Sequence, residues 1–253
     1  MKIAVITGAS AGIGREFVYA IDKKFELDEI WVIARREERL QEVAEKCRNK
    51  VRPLVLDLLD TASIAAYQEL LKKEQPQVQV LVNAAGFGVF GAFDKVDLEK
   101  QLLSVRLNSE VLTALCHVTI PFMKAGDHII NVGSNSAWQP VPLMAIYGAS
   151  KSFVLNFSRA LNREMRPRGI SVMCVCPGWV RTEFQAKAKH DDYIRYVDRW
   201  FEPWEVAEQA MKDLDKGKMV SIAGAALRLQ VLGVKLLPMK MVIETWCRQQ
   251  GIE

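Results

Sequence analysis

Tyr147 and Lys151 stand four residues apart, a spacing that puts a phenol and an ammonium on one face of a helix. Thirteen residues before the tyrosine, Ser134 follows an apolar run of strand length and brings a hydroxyl towards the same place. These three groups suit one piece of chemistry. Reducing a carbonyl requires a hydride at carbon and a proton at oxygen. A phenol with its ordinary pKa of about 10 is a poor base for the reverse direction at neutral pH, and a neighbouring cation stabilises its phenolate. General acid–base work by a phenol so tuned contributes about 10²–10⁴-fold. Taken singly, each residue has a plainer reading: a helix-start aromatic, a surface lysine, one hydroxyl of a Gly-Ser-Asn-Ser turn.

The hydride needs a carrier, and the chain opens on a place to hold one. Thr7-Gly8-Ala9-Ser10-Ala11-Gly12-Ile13-Gly14 follows a hydrophobic strand and runs into a helix. Gly8 is placed for a tight turn, Gly12 for close approach of a phosphate and Gly14 for contact between helix and strand. Free amides at the helix start, at Ile13 and beside Ser10, are set to receive a pyrophosphate. The second strand ends Ile33-Ala34-Arg35-Arg36, with no carboxylate to accept from both ribose hydroxyls. A guanidinium there can clamp a 2′-phosphate, which favours NADP over NAD, with Arg35 as phosphate ligand and Arg36 stacking on adenine. Alternatively, both arginines open a charged helix and face water. Asp57, after a third strand, either meets the adenine amino group or caps the next turn.

Positioning these groups requires a particular scaffold. Strands are expected at Ile3–Thr7, Ile30–Ala34, Leu54–Leu56, Val78–Asn83, His128–Gly133, Ile170–Cys176 and Met219–Ile222. Helical patterns fall between them, near 13–24, 37–48, 61–73, 98–124, 147–166 and 204–215. The alternation predicts an α/β fold, a doubly wound parallel sheet of the Rossmann type. No linker or repeat divides the 253 residues, so residues 1–253 are read as a single domain. Half the residues are hydrophobic and a quarter charged, and the net charge of +4 does not call for nucleic acid. The five cysteines form no metal-binding spacing. They suit a reducing cytosol, and Met1 leading directly into the first strand predicts a cytoplasmic protein without a transmembrane segment.

In this order and at these separations, the motifs resemble those of the short-chain dehydrogenase/reductase family over nearly all of residues 1–182. The glycine turn is Thr7 to Gly14. The N-N-A-G motif appears as Asn83-Ala84-Ala85-Gly86, with alanine in place of the second asparagine. Asn108 matches the catalytic asparagine and Ser134 the serine, whose separation from the tyrosine fits better than that of Ser136. The Y-x-x-x-K pair is Tyr147 to Lys151, and Pro177-Gly178 precedes Val180 and Thr182. The resemblance implies that Lys151 also grips the nicotinamide ribose. It further implies that Asn108 positions a water leading from Lys151 to solvent, that Asn83 and Gly86 line the cofactor, and that the Pro177–Thr182 turn holds the carboxamide. Ala84 is expected to alter local bracing without loss of cofactor binding. Members commonly pair the helices bearing Asn108 and Tyr147, so a homo-oligomer is expected.

The substrate side is greasy. Trp138, Leu143, Met144, Phe87 and an aromatic segment over 179–204 can wall a pocket for a hydrophobic ketone, aldehyde or secondary alcohol. The same aromatics can equally pack onto the sheet. Interleaved Lys187, Lys189, Asp191, Asp192 and Arg195 suggest a partly exposed lid within 179–215. The tail at 225–249 is apolar, mildly basic and interrupted by Pro238; it can cap the cleft, join a subunit contact or lie on a membrane surface. Two rivals to a soluble reductase remain: a nucleotide-sensing protein without turnover, and a membrane-surface lipid reductase.

Overall fold

Seven short hydrophobic runs become seven parallel strands of one sheet, and the helical patterns between them pack on its two faces. The computed structural model describes residues 1–184 and 196–252, so the charged residues expected in a lid at 187–195 lie outside the described residues. The elements that carry the site are β1 (Lys2–Thr7), α1 (Gly12–Lys24), β2 (Glu29–Ala34), α2 (Glu37–Ala44), β3 (Val51–Val55), α3 (Thr61–Glu74) and β4 (Gln77–Asn83). They are followed by α4 (Leu98–Val105), α5 (Leu112–Thr119), β5 (His128–Val132), α6 (Ala145–Met165) and β6 (Ser171–Val175). The last part holds β7 (Trp179–Val180), β8 (Trp200–Phe201), α7 (Pro203–Asp215), β9 (Val220–Ser221), α8 (Ala225–Leu236) and α9 (Met239–Gln250).

The strand order is β3-β2-β1-β4-β5-β6-β9, which reverses direction between β1 and β4. In an open parallel sheet a crevice forms at such a switch, outside the carboxyl ends of the strands. Gly8, Gly86 and Ser134 all follow carboxyl ends of strands, so topology alone gathers them on one edge. One difference from sequence expectation concerns β3, which starts at Val51 and contains Pro53. The strand is at the sheet edge, where a missing backbone N–H costs no ladder bond.

Both faces are covered. On one, Phe17, Val18 and Ile21 of α1, Leu40 and Val43 of α2, and Val206, Ala210 and Met211 of α7 cover alternate residues of the central strands. Tyr67 and Leu71 of α3, Leu115 and Cys116 of α5, and Val154, Leu155 and Leu161 of α6 cover the other. Cys116, Cys174 and Cys176 are sealed in this second layer, with burial pushing the Cys116 thiol up to about 12. Pro238 divides the tail into α8 and α9, as the sequence suggested. Among the described residues no helix is long and apolar enough to cross a membrane.

Candidate active site

α6 carries Tyr147 and Lys151 inward on its buried face. The phenol ring lies against the backbone of Gly88, where a Cβ would fall 2.7 Å from Tyr147 Cδ2. Phe90 and Phe184 flank it with ring centroids 5.7 and 5.6 Å away. Lys151 Nζ sits 5.8 Å from the centre of the Tyr147 ring and donates to the Val132 carbonyl at 2.8 Å. Ser134, just beyond β5, accepts from the Ser136 amide at 3.1 Å and lines the same cleft as the phenol. The structure therefore brings Ser134, Tyr147 and Lys151 to one end of the cleft.

Burial dominates the electrostatics. It pushes Tyr147 up to about 12, against the opposing pull of the Ser134 hydroxyl. It also brings Lys151 down to about 8, with the Cys174 and Cys176 thiols pulling the other way. The sequence expectation assigns the tuning of the phenol to Lys151 together with a bound oxidised nicotinamide; in the protein alone, burial sets the direction for Tyr147. The cation is held at the Val132 carbonyl, and the loss of solvent around Tyr147 is the largest influence on the phenol. A phenol in this state stays protonated across neutral pH and is ready to give a proton.

Asn108 lies in a wide, π-type turn over Arg106–Val111 that joins α4 to α5. Such bulges recur at functional sites. Its Oδ1 accepts from the Phe87 amide at 3.2 Å, while Nδ2 donates to the Phe87 carbonyl at 2.9 Å and to Ser150 Oγ at 3.1 Å. The side chain is thus spent on bracing the turn after Gly86 against α6. A Cβ on Gly86 would come within 2.7 Å of Asn108 Oδ1 and 3.5 Å of Lys151 Nζ, so that glycine keeps three elements in contact.

At the nucleotide end, Gly8 and Gly12 take φ of +68° and +54°, the left-handed region that other residues rarely adopt. The N-cap of α1 is Ala11, which makes no side-chain cap, so the first amides of the helix have no acceptor from that residue. Thr182 folds back over the turn: a Cβ on Gly12 would touch its Cγ2 at 2.9 Å. Its Oγ1 accepts from the Phe184 amide at 3.3 Å. Thr7, which sequence reasoning passed over as a site residue in its own right, accepts at Oγ1 from the Ala84 and Ala85 amides, both at 3.1 Å. It ties the glycine turn to the segment after β4.

Arg36 does not lie free to stack on a base. Its guanidinium donates to Ser10 Oγ at 3.1 Å and to Glu183 at 2.7 Å, and Arg39 reaches the other oxygen of Glu183. The two arginines hold that carboxyl down to about 2. Arg35 is largely exposed and stands 3.7 Å from Asp57. Asp57 Oδ1 accepts from the Leu59 amide, the turn-capping alternative weighed for it. Asn83 points into the core and its Nδ2 donates to Asn131 Oδ1 at 2.9 Å, while Asn131 Nδ2 donates to Ser158 Oγ at 3.0 Å. Its side chain binds β4 to β5 and α6, away from the cleft.

The cleft beside the phenol is lined by Phe90, Val141, Met144, Trp179, Phe184 and Trp246, with Ser134, Tyr147, Pro177 and Gly178 completing its wall. Of the wall residues expected before β6, only Met144 is there. Phe87 serves the brace to Asn108, Leu143 faces a smaller hollow, and Trp138 packs beneath Arg159 and Lys235. Phe90 and Trp246 were missed; neither carries a local pattern, and long-range folding brings both in. Val180 is buried, pairing with Phe201 in the small β7–β8 sheet.

Comparison with known proteins agrees with this geometry. A family model described as short chain dehydrogenase matches residues 2–193. The sulfoacetaldehyde reductase 2 of Chromohalobacter salexigens is 35% identical over 191 residues, covering 72% of this chain and 74% of that protein. A short-chain dehydrogenase from Sphingobium yanoikuyae, solved in complex with NADPH, superimposes with a TM-score of 0.80 at 29% identity, covering 92% of both chains. A bulky-bulky ketone specific alcohol dehydrogenase from Comamonas testosteroni gives 0.76 at 26% identity, covering 93% of this chain and 92% of that one.

Proposed function

Because the chain belongs to the short chain dehydrogenase family and is an oxidoreductase of it, we propose that it is an NADPH-dependent carbonyl reductase acting on hydrophobic ketones, aldehydes or the matching secondary alcohols. The observation that carries this reading is the Ser134–Tyr147–Lys151 cluster at the closed end of an aromatic cleft. A reduced nicotinamide held in this cleft would be the source of the hydride for the carbonyl carbon. The chain does the rest. Ser134 donates to the substrate oxygen and holds it at Tyr147, and the phenol gives that oxygen its proton. Lys151 neutralises the charge that develops on the phenol and donates to the cofactor ribose, while Asn108 keeps the Gly86–Phe87 turn and α6 in register and lines the path by which Lys151 regains a proton. Gly8, Ser10, Gly12, Ile13 and Gly14 take the pyrophosphate on the uncapped start of α1, and Gly86 leaves room beside the ribose. Pro177, Gly178, Val180 and Thr182 hold the carboxamide.

NADPH over NADH follows from the arginines after β2. In this reading Arg35 and Arg36 take the 2′-phosphate, which replaces Glu183 as the anion beside Arg36. The relative solved with NADPH supports the preference by resemblance. Changing Arg36 to Ala is expected to lower kcat/KM with NADPH roughly 10–100-fold, the worth of a hydrogen bond to a charged group, and to spare NADH. Arg35→Asp should move preference further towards NADH. Steady-state assays with both cofactors measure this, and an unchanged ratio in both variants would remove the arginines from the site. The reading as a whole is tested by a screen of carbonyl compounds that follows absorbance of the reduced nicotinamide. Tight NADPH binding with no oxidation by any ketone would favour the nucleotide-sensing alternative.

A pH profile follows from the charges. Tyr147 remains protonated well above neutrality, so it does not limit reduction there. Lys151 is charged below about pH 8 and loses its proton above it. The kcat/KM for reduction is therefore expected to be level at low pH and to fall as pH rises through about 8. An unperturbed lysine would put that fall at about 10.4. A profile level up to that higher value would sink the role given to the Lys151 charge.

A further inference from the structure

The tail helices are apolar on the side that faces away from the protein. α8 buries Leu227 and Val231, and the stripe opposite them carries Leu229, Leu232 and Leu236, which are 70%, 51% and 75% exposed. Leu237, Met239 and Met241 extend the exposed apolar surface past Pro238. A helix finished by water shows polar residues on that face. The same two helices carry Arg228, Lys235, Lys240 and Arg248 as exposed cations, Lys235 over the Trp138 ring and Lys240 3.9 Å from Glu244, which is the only carboxylate among the described tail residues. Exposed leucines and methionines together with cations are the composition of a helix that lies in a bilayer interface. The inner faces of the same two helices reach the catalytic cleft, which Leu227, Gln230 and Trp246 line together with Ser134 and Tyr147.

We propose that α8 and α9 dock on an anionic lipid surface, and that the cleft takes a lipophilic ketone or alcohol partitioned into that surface. The docking half stands on the patch; the substrate half rests on the reductase reading above. A second copy of the chain fits less well. An isologous contact through this patch would set its cations against the same cations, whereas acidic headgroups complement them. The contact is peripheral, since no described helix can span a bilayer.

The test is sedimentation of the full-length protein with vesicles of phosphatidylcholine, alone or mixed with phosphatidylglycerol. Binding is expected to the mixed vesicles and to weaken as salt is raised. Leu232→Glu and Leu236→Glu each weaken it roughly tenfold, since each removes a leucine from apolar surroundings, and Lys240→Gln with Arg248→Gln removes the preference for phosphatidylglycerol. Reduction of a short water-soluble ketone is expected to stay unchanged in the leucine variants, while reduction of a long-chain ketone carried in the mixed vesicles falls. Wild-type protein left in the supernatant, or bound equally to both vesicles, overturns the docking. So does self-association in solution that Leu232→Glu abolishes, which would assign the patch to a second copy. Equal loss on soluble and vesicle-borne ketones overturns the delivery of substrate from the surface. Vesicle binding by a protein that reduces no carbonyl would instead defeat the reductase reading and leave the docking surface standing.

Discussion

Tyr147→Phe is expected to cut kcat by about 10²–10⁴-fold, the usual worth of a positioned general acid, and to leave NADPH affinity within a few-fold. The change removes one oxygen and little else. The ring keeps its seat against Gly88 and between Phe90 and Phe184, and the hydrogen bond from Lys151 to the Val132 carbonyl does not involve it. Ser134 keeps its bond from the Ser136 amide, so the pocket does not collapse around the lost hydroxyl. Steady-state kinetics with a cofactor titration by fluorescence separates the two quantities. A variant that still reduced ketones at a substantial fraction of the wild-type rate would show that another group delivers the proton.

Gly14→Ala is expected to damage cofactor binding at its base. The added methyl would stand 2.3 Å from the Gly8 carbonyl oxygen and 3.1 Å from that of Thr7, both backbone atoms that cannot swing aside. Either α1 lifts off the end of β1 or the turn over Gly8–Gly12 opens, and both outcomes withdraw the helix amides from the pyrophosphate. Overpacking of this kind costs about 1–3 kcal/mol, equivalent to a fall in Tm of several degrees for a chain of this size. NADPH affinity should drop more than tenfold if the helix start anchors the pyrophosphate as proposed. Calorimetry with and without NADPH checks both numbers. A variant with wild-type Tm and an undiminished shift on adding NADPH would mean that the close approach is not needed.

How far the sequence reveals this arrangement depends on the range of the interaction. Period and punctuation are local, so the alternation of β1 to β6 with their helices and the break at Pro238 are all legible. The four-residue step from Tyr147 to Lys151 is local too. What is hidden depends on residues far apart in the chain. Nothing around Arg36 announces that Glu183 will meet it, and nothing near Asn83 says that Asn131 and Ser158 will draw its side chain into the core. Phe90 and Trp246 become walls of one cleft only because the segment after β4 and the helix α9, whose Trp246 donates to the Pro142 carbonyl, meet there. The charge state of the phenol is hidden for another reason. A nearby lysine can be read from spacing, whereas the loss of water around both groups depends on everything packed over them. β3 shows the same limit in reverse: Pro53 argues against a strand until the edge position is known.

The three sealed sulfur atoms of Cys116, Cys174 and Cys176 have a practical meaning. Cys174 and Cys176 sit beside Lys151, and Cys116 lies against Asn83 and Asn131, so a reagent in solution meets them only after the central layer has parted. Their slow capture would clock how often the interior breathes, independently of any turnover.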